Sequence, residues 1–436
     1  MAKFGKCFAV LFLLSVFFLN PASAADDLII HGLVSQGYLK SSENNYMTLS
    51  EGGSTEYSEF VINFQKQMDD KLRLGLQLMS RDLGKEGNNE IKVDWGYGDY
   101  KFNDRWGLRL GRVKVPFGFY NKGRDIDMLR TTVLLPATIY MEDYRQFLTA
   151  FNGGSVYANL PAGKGDFEFE FAYGGSDLDP DSGIVKDILL RFNNAYETKM
   201  TAGLQASSAL AKAKNLRFSH VGDPERGGST DNGYSAKILW NTPVEGLKIG
   251  GTRTDLDLHM DETLVYQPII VTNPPAPLPT PFPATPGFQT RVDLNYKFLI
   301  DIGSLEYTIN KFTFSGELMA AHGQQNFSVS ETPIASASAI STAQTSQGSY
   351  LQCVYRHNDR HEWSLYRGEF FFDRNNKVWN TWQKDTCASF RYNVNPNWSI
   401  KIEHHWIDGI GLVQKNLNTD FDRKWNLIAI KTTYNF

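Results

Sequence analysis

The stretch that decides the fold reads GRVKVPFG over 111–118 and FYNKGRDIDMLRTTVLLPATIYMEDYR over 119–145. Apolar and polar residues alternate up to Pro116 as they do on a β-strand, and the residues after it have no such period. Those residues carry equal numbers of basic and acidic side chains: Lys122, Arg124, Arg130 and Arg145 against Asp125, Asp127, Glu142 and Asp143. We expect 116–145 to be a constriction loop that folds into the lumen of a β-barrel, with the rest of the chain as the wall.

The composition agrees with strands that have one apolar and one polar face. Hydrophobic residues make up 42% of the 436 residues and aromatic residues 13%, yet the mean hydropathy is only −0.35. Outer-membrane barrels have this composition because each strand faces lipid on one side and water on the other. Residues after the first 24 include no run of 18 apolar residues, so a membrane-spanning mature chain has to be a barrel.

The N-terminus has the features of a secretory signal peptide over residues 1–24. Lys3 and Lys6 precede an apolar run, Cys7–Leu19, and Ala22-Ser23-Ala24 fits the cleavage site. An uncleaved anchor is the alternative, although the apolar run is too short to span a bilayer as a helix. We expect cleavage before Ala25 and a single barrel domain over 25–436.

From Asp26 onward, segments with period-two alternation are joined by connections that are in turn short and long, as in bacterial barrels. A single such strand would also suit a soluble β-sandwich, so the prediction of a membrane barrel depends on the repetition of these strands. Sixteen strands are predicted: 28–40, 57–68, 71–81, 90–102, 106–115, 146–160, 167–175, 234–240, 247–258, 289–309, 312–322, 350–358, 362–373, 379–394, 398–408 and 425–436. This count places 116–145 in the third outer loop, and the linkers 323–349 and 409–424 in later ones.

Two readings remain open for residues 176–232. Helical spacing over Ser182–Met200 indicates an outer loop with a short helix, capped by Asp181 or Ser182. The alternative is an extra hairpin made of Lys186–Phe192 and Thr198–Ser207, which would give an eighteen-stranded barrel.

Charge and motifs exclude several classes of function. Removing Lys3 and Lys6 leaves 42 basic and 48 acidic residues, a net charge of −6, which argues against nucleic acid as a partner. The mature cysteines, Cys353 and Cys387, lie on separate predicted strands. The sequence does not show that these strands are neighbours, so a disulfide between the two cysteines is possible but has no support. No CxxC or CxxCH spacing and no G-x-S-x-G or H-E-x-x-H motif occurs, and we predict no cofactor, no metal site and no enzyme activity.

The adjacent histidines His404 and His405 raise the question of a catalytic or metal-binding site. His404 and His405 point to opposite faces of a strand and cannot bind one ion together. His405 is expected on the lumen face with Glu403 and Lys401, and His404 on the outer face beside Trp406.

The last strand places Ile428, Ile430, Tyr434 and the final Phe436 on one face. In this last strand and in GRVKVPFG (111–118), NTPVEGLKIG (241–250) and NPNWSIKIEHHWIDG (395–409), the chain resembles Gram-negative porins, most closely the phosphate-selective porin O and P-like group. The resemblance implies an integral outer-membrane barrel of sixteen strands, contact with lipid and lipopolysaccharide, a homotrimer, and recognition of Phe436 by the barrel assembly machinery. Phosphate selectivity in that group rests on dense lysine and arginine, whereas the loop charges here cancel.

We therefore predict a water-filled diffusion channel for small hydrophilic solutes or ions. Arg112 and Lys114 are expected to point inward after a bulge near Gly111, which would turn Val113 and Val115 outward. Opposite charges across a pore set up a transverse field; the same charges could equally form solvated salt bridges. The wall cations expected to face the loop carboxylates are Arg73, Arg109 and Lys401. A sleeve around an outer-membrane cytochrome and a barrel hydrolase are the two alternatives.

Overall fold

The structure is a computed structural model that describes residues 28–84, 86–179, 182–206, 218–222, 225–271, 282–330, 338–376 and 378–436. The predicted signal peptide and most of the proline-rich stretch 273–287 lie outside these residues. The described chain has eighteen strands: β1 (Leu28–Ser41), β2 (Tyr57–Gln67), β3 (Leu72–Leu83), β4 (Ile91–Lys101), β5 (Trp106–Lys114), β6 (Ala150–Ala162), β7 (Gly165–Asp177), β8 (Glu225–Asn241), β9 (Leu247–Tyr266), β10 (Ile269–Val271), β11 (Phe282–Thr285), β12 (Phe288–Ile309), β13 (Phe312–Val329), β14 (Ser338–Arg356), β15 (His361–Phe371), β16 (Trp382–Asn395), β17 (Trp398–Gly409) and β18 (Lys424–Asn435).

Sixteen of these strands close one antiparallel barrel. Each pairs with its neighbours in the chain, β9 pairs with β12, and β18 pairs with β1 to complete the ring. Strands β10 and β11 form a separate two-stranded sheet in the connection between β9 and β12. The predicted sixteen-stranded barrel is confirmed.

The region left open in the sequence is a helix. Residues Gly183–Gln205 form α2, and α1 is the short helix Arg145–Leu148. The hydroxyl of Ser182 accepts a hydrogen bond from the backbone N–H of Val185 at 3.4 Å, as an N-cap does. The extra hairpin, and with it the eighteen-stranded barrel, is therefore wrong. Among the described residues no helix is long and apolar enough to cross a membrane.

The outer surface carries an apolar band bounded by aromatic residues. Phe314, Leu318, Ile402 and Ile430 are exposed on it. Next to the short turns, aromatic rings pair across neighbouring strands, as in Phe167–Trp240, Phe312–Tyr355 and Trp398–Tyr434. An apolar band with aromatic girdles is the lipid-facing surface of an outer-membrane barrel, and the chain is an integral protein of that membrane.

One side of the barrel extends well past this band. Strands β9, β12, β13 and β14 have 18 to 22 residues, against 9 in β5. Beyond the band their outer face carries ion pairs such as Arg253–Asp301 (2.7 Å) and Lys297–Asp257 (3.1 Å). The inner face there is apolar, with Leu258, Leu294 and Phe327 buried. The linker predicted over 323–349 is therefore wrong where β13 and β14 continue into it.

Candidate functional site: the constriction loop and the cavity beside it

The loop 116–145 enters between β5 and β6 and reaches the opposite wall of the barrel. Near its start, the backbone oxygens of Pro116 and Gly118 accept hydrogen bonds from Ser235 and Lys237 on β8, both at 2.8 Å. Further along, it contacts β15 to β18, which lie across the ring. The loop thus crosses the lumen and is tied to both sides.

Asp127 is the anchor at the far wall. Its carboxylate lies 3.0 Å from the ammonium of Lys401, 3.3 Å from that of Lys431 and 3.2 Å from the guanidinium of Arg130. Thr433 donates a further hydrogen bond at 2.8 Å. Burial alone raises the pKa of Asp127, but these cations outweigh it and hold the pKa well below its usual range.

A second cluster fixes the loop on the near side. Arg145 and Lys114 both contact Asp125 directly. Glu142 accepts from Arg124 at 2.9 Å and from Arg81 of β3 at 3.0 Å. Burial raises the pKa of Asp125 and of Glu142, and the surrounding cations lower both below their usual range. Both carboxylates are therefore anions held by several cations each.

Three wall carboxylates that the sequence did not link to the loop also hold it. Glu403 accepts hydrogen bonds from the backbone N–H groups of Val133 (2.7 Å) and Leu134 (3.1 Å). Glu362 accepts from Thr131 at 2.9 Å, and Glu317 accepts from the N–H of Phe119 at 2.9 Å. Their burial under the loop is visible only in the structure, because a carboxylate that faces a hydrated lumen has the same pattern in the sequence.

The predicted bulge at Gly111 and the facing it implied are wrong. Register is regular along β5 from Gly107 to Lys114, and Val113 and Val115 are buried in the interior with Phe117. The ammonium of Lys114 reaches the loop, as expected. Arg112 instead donates to the backbone oxygen of Asp94 at 3.0 Å and to Asn152 at 3.4 Å.

The other predicted site residues lie in the loop. Arg124 and Arg130 are inside the loop's own clusters, and Lys122 contacts Glu170 of β7. Asp143 lies at the outer end, where it accepts two hydrogen bonds from Gln414, at 2.8 and 3.0 Å. The structure thus brings Lys114, Arg124, Asp125, Glu142 and Arg145 together, and it separates Arg112 and Asp143 from them.

A cavity of about 470 Å³ lies between the loop and the wall from β1 to β7. Lys122, Asp125, Ile126 and Met128 of the loop line one side, and the C-terminal Asn435 and Phe436 lie at its end near the short turns. The facing wall contributes polar and aromatic side chains: His31, Asn63, Gln65, Arg73, Gln77, Trp95, Tyr97, Arg109, Ser155 and Glu170.

The cations in this cavity are more exposed than the acids they pair with. The side chain of Arg73 is 42% exposed against 2% for its partner Asp99, and that of Lys122 is 37% exposed against 12% for its partner Glu170. Arg109 bridges Asp99 (3.2 Å) and Glu170 (3.1 Å), and its guanidinium lies 4.1 Å from the ring centre of Tyr157. A solute in the cavity therefore meets positive groups first.

Helix α2 lies over the outer mouth. It follows β7 and touches the turn Lys415–Leu417 between β17 and β18, half the ring away. Its buried residues Val185, Ile188 and Leu189 belong to the same apolar cluster as Ile139 of the loop. The outer side of the lumen is thus packed by the loop and the helix together.

A closed antiparallel barrel of sixteen strands, an apolar exterior and a third outer loop folded inside it are the architecture of Gram-negative outer-membrane porins. OmpF of Salmonella typhi, solved with daunomycin, matches with a TM-score of 0.51 at 12% identity, over 94% of this chain and 97% of OmpF. An anion-selective porin of Comamonas acidovorans (TM-score 0.48, 9% identity, 94% and 99% of the two chains) is also similar. So is the channel DcaP of Acinetobacter baumannii (0.48, 10%, 96% and 99%).

These likenesses concern the fold alone. No protein-family model matches the chain, and no curated protein matches it. The predicted closeness to the phosphate-selective group stays a prediction.

Proposed function

We propose that the protein is a porin: a diffusion channel for small hydrophilic solutes that passes through the cavity between the constriction loop and the wall from β1 to β7. The observation that carries this proposal is that cavity, about 470 Å³ and lined by polar, charged and aromatic side chains inside a membrane barrel. Polar lining groups replace part of a solute's hydration and so lower the cost of crossing the membrane.

We further propose that the channel prefers anions. Arg73 and Lys122 present their charges to the cavity, while the carboxylates they pair with, Asp99 and Glu170, are much less exposed. Burial behind cations reduces the potential that a carboxylate projects into the lumen. The balanced charge of the loop then does not make the pore neutral, because the two signs are not equally accessible.

The test is single-channel conductance in a planar bilayer with a salt gradient. Discrete open steps and a reversal potential of the anion-selective sign are expected. The double change Arg73→Gln with Lys122→Gln should move that potential toward zero. Lys297→Gln, which removes a charge on the outer face of β12, is the matched control and should not move it. A correctly folded barrel without steps would overturn the channel, and a cation-selective wild type would overturn only the anion preference.

The crossing loop weighs against a sleeve for a cytochrome, because its anchors on both walls occupy the lumen. A hydrolase finds little support, because the most suggestive group of side chains, around His405, is fully buried beneath the loop. A homotrimer, contact with lipopolysaccharide and recognition of Phe436 by the assembly machinery remain part of the proposal, and native gel electrophoresis of the purified barrel tests the trimer.

A further inference from the structure

A compact set of metal-binding side chains lies on the inner face of β16 and β17, under the far end of the constriction loop. Cys387 is 0% exposed, Glu403 1% and His405 3%. Cys387 is directly opposite His405 in the strand pairing, and Glu403 precedes His405 by two residues on the same face. Two donors at i and i+2 with a third on the adjacent strand converge on one point above a sheet.

The distances suit a single ion. One donor atom from each of the three residues lies within 4.8 Å of the other two. The Nε2 atom of His405 is 3.0 Å from a carboxylate oxygen of Glu403. A tetrahedral zinc ion with ligands at about 2.0–2.3 Å separates its donors by roughly 3.3–3.8 Å, so small side-chain adjustments bring the three donors to bonding distance.

The surroundings of His405 are those of a metal ligand. Its second ring nitrogen, Nδ1, lies 2.9 Å from the carboxylate of Asp385, and the hydroxyl of Tyr366 donates to the same carboxylate at 2.6 Å. A carboxylate on the far nitrogen of a ligating histidine fixes the ring and its tautomer and strengthens its bond to the ion. Glu403 is likewise held by the loop N–H groups of Val133 and Leu134.

We propose that Cys387, Glu403 and His405 bind one zinc ion, and that the ion fixes the far end of the constriction loop to the wall through Glu403. Binding replaces the thiol proton of Cys387, which leaves to solvent, and uses the neutral form of His405. Thiolate, imidazole and carboxylate together are a donor set that zinc accepts. Because the loop covers the site, the ion enters before the loop docks.

Sequence spacing did not indicate this site. Cys387 and His405 are eighteen residues apart on two strands, so the CxxC-type spacings of common zinc motifs are absent. His404 takes no part, as predicted: its ring lies against Trp406, 4.3 Å between centres, on the opposite face.

Cobalt substitution tests the proposal. The barrel is unfolded with a chelator, refolded in detergent with cobalt(II), and dialysed. One equivalent of cobalt should be retained, with the near-ultraviolet band of a thiolate–cobalt bond. Cys387→Ser should lose that band. Cys353→Ser, on the outer face of β14, is the matched control and should keep both the band and the cobalt content.

Asp385→Asn keeps all three ligands and should weaken metal affinity about 10–100-fold. This variant therefore tests the zinc site even if Cys387→Ser fails to fold. Folding of each variant is checked by the electrophoretic shift of unheated barrels. A folded wild type that retains no cobalt or zinc would overturn the proposal, as would a band that persists in folded Cys387→Ser. In those cases His405 instead bridges Asp385 and Glu403 as a charged imidazolium.

Discussion

Asp127 shows how single residues hold the constriction loop. It places one buried carboxylate among three cations, two of which, Lys401 and Lys431, are themselves almost completely buried. A buried ion pair adds little compared with an apolar pair of the same shape, but removing one partner is costly because the remaining charge stays in a low-dielectric interior. The loop therefore stays docked mainly because undocking would leave Lys401 and Lys431 buried without the Asp127 carboxylate, and less because the ion pairs are strongly attractive.

Asp127→Asn should accordingly destabilise the folded barrel by about 3–5 kcal/mol. The unfolding free energy from denaturant titration, followed by tryptophan fluorescence, measures this. Asp143→Asn is the matched control, because Asp143 is a loop carboxylate that accepts hydrogen bonds from the neutral amide of Gln414; its replacement should cost about 1 kcal/mol. Equal losses in the two variants would contradict the role given to the Lys401–Lys431 pair.

The ion pairs of Asp127 also predict how the stability of the barrel depends on pH. The pKa of Asp127 is lowered in the folded chain, so its stabilising effect is complete above the pKa of the unfolded chain, about 3.9. That effect is lost as the pH falls from there toward the lower folded pKa. The difference in unfolding free energy between wild type and Asp127→Asn should not shrink between pH 7 and pH 5 and should shrink below about pH 4. A difference that already shrinks between pH 7 and pH 5 would rule this assignment out.

At the level of elements, we expect helix α2 to limit access to the pore from the outside. Leu189 is buried in the cluster that α2 shares with the loop, so Leu189→Asp puts a charge into an apolar contact and should detach the helix. Single-channel conductance should then rise, and α2 should become sensitive to protease in folded barrels. Lys199→Asp, on the exposed side of the same helix, should change neither. Cleavage of the helix without any change in conductance would show that α2 does not narrow the pore.

Elements with a clear period were predictable from sequence, and polar contacts in the lumen were not. Leu72, Leu74 and Leu76 alternate with polar residues on β3, so the strand and its lipid face follow directly. Glu362 and Glu403 look like any hydrated lumen residue until the loop is seen to cover them. The sequence predicts a linker in place of the outer parts of β13 and β14 because their outer face is polar beyond the lipid, which removes the apolar alternation that marks a spanning strand.

At the scale of the whole molecule, the barrel is uneven in height: its wall from β8 to β14 stands above the membrane. On β12, Leu305 and Lys297 share the outer face, eight residues apart, which is about 26 Å along a strand. Leu305 lies in the apolar band, whereas Lys297 pairs with Asp257 beyond it.

A cysteine at each position locates the membrane boundary. In a Cys353→Ser background, Lys297→Cys should react with a membrane-impermeant maleimide on intact cells, whereas Leu305→Cys should react only after the membrane is dissolved. Cys387 contributes no labelling in either case because it is fully buried. Labelling of both positions on intact cells would place the band lower on the barrel, and labelling of neither would mean that the long strands lie within the membrane. The second outcome is physically costly, since the ion pairs Arg253–Asp301 and Lys297–Asp257 would then face hydrocarbon.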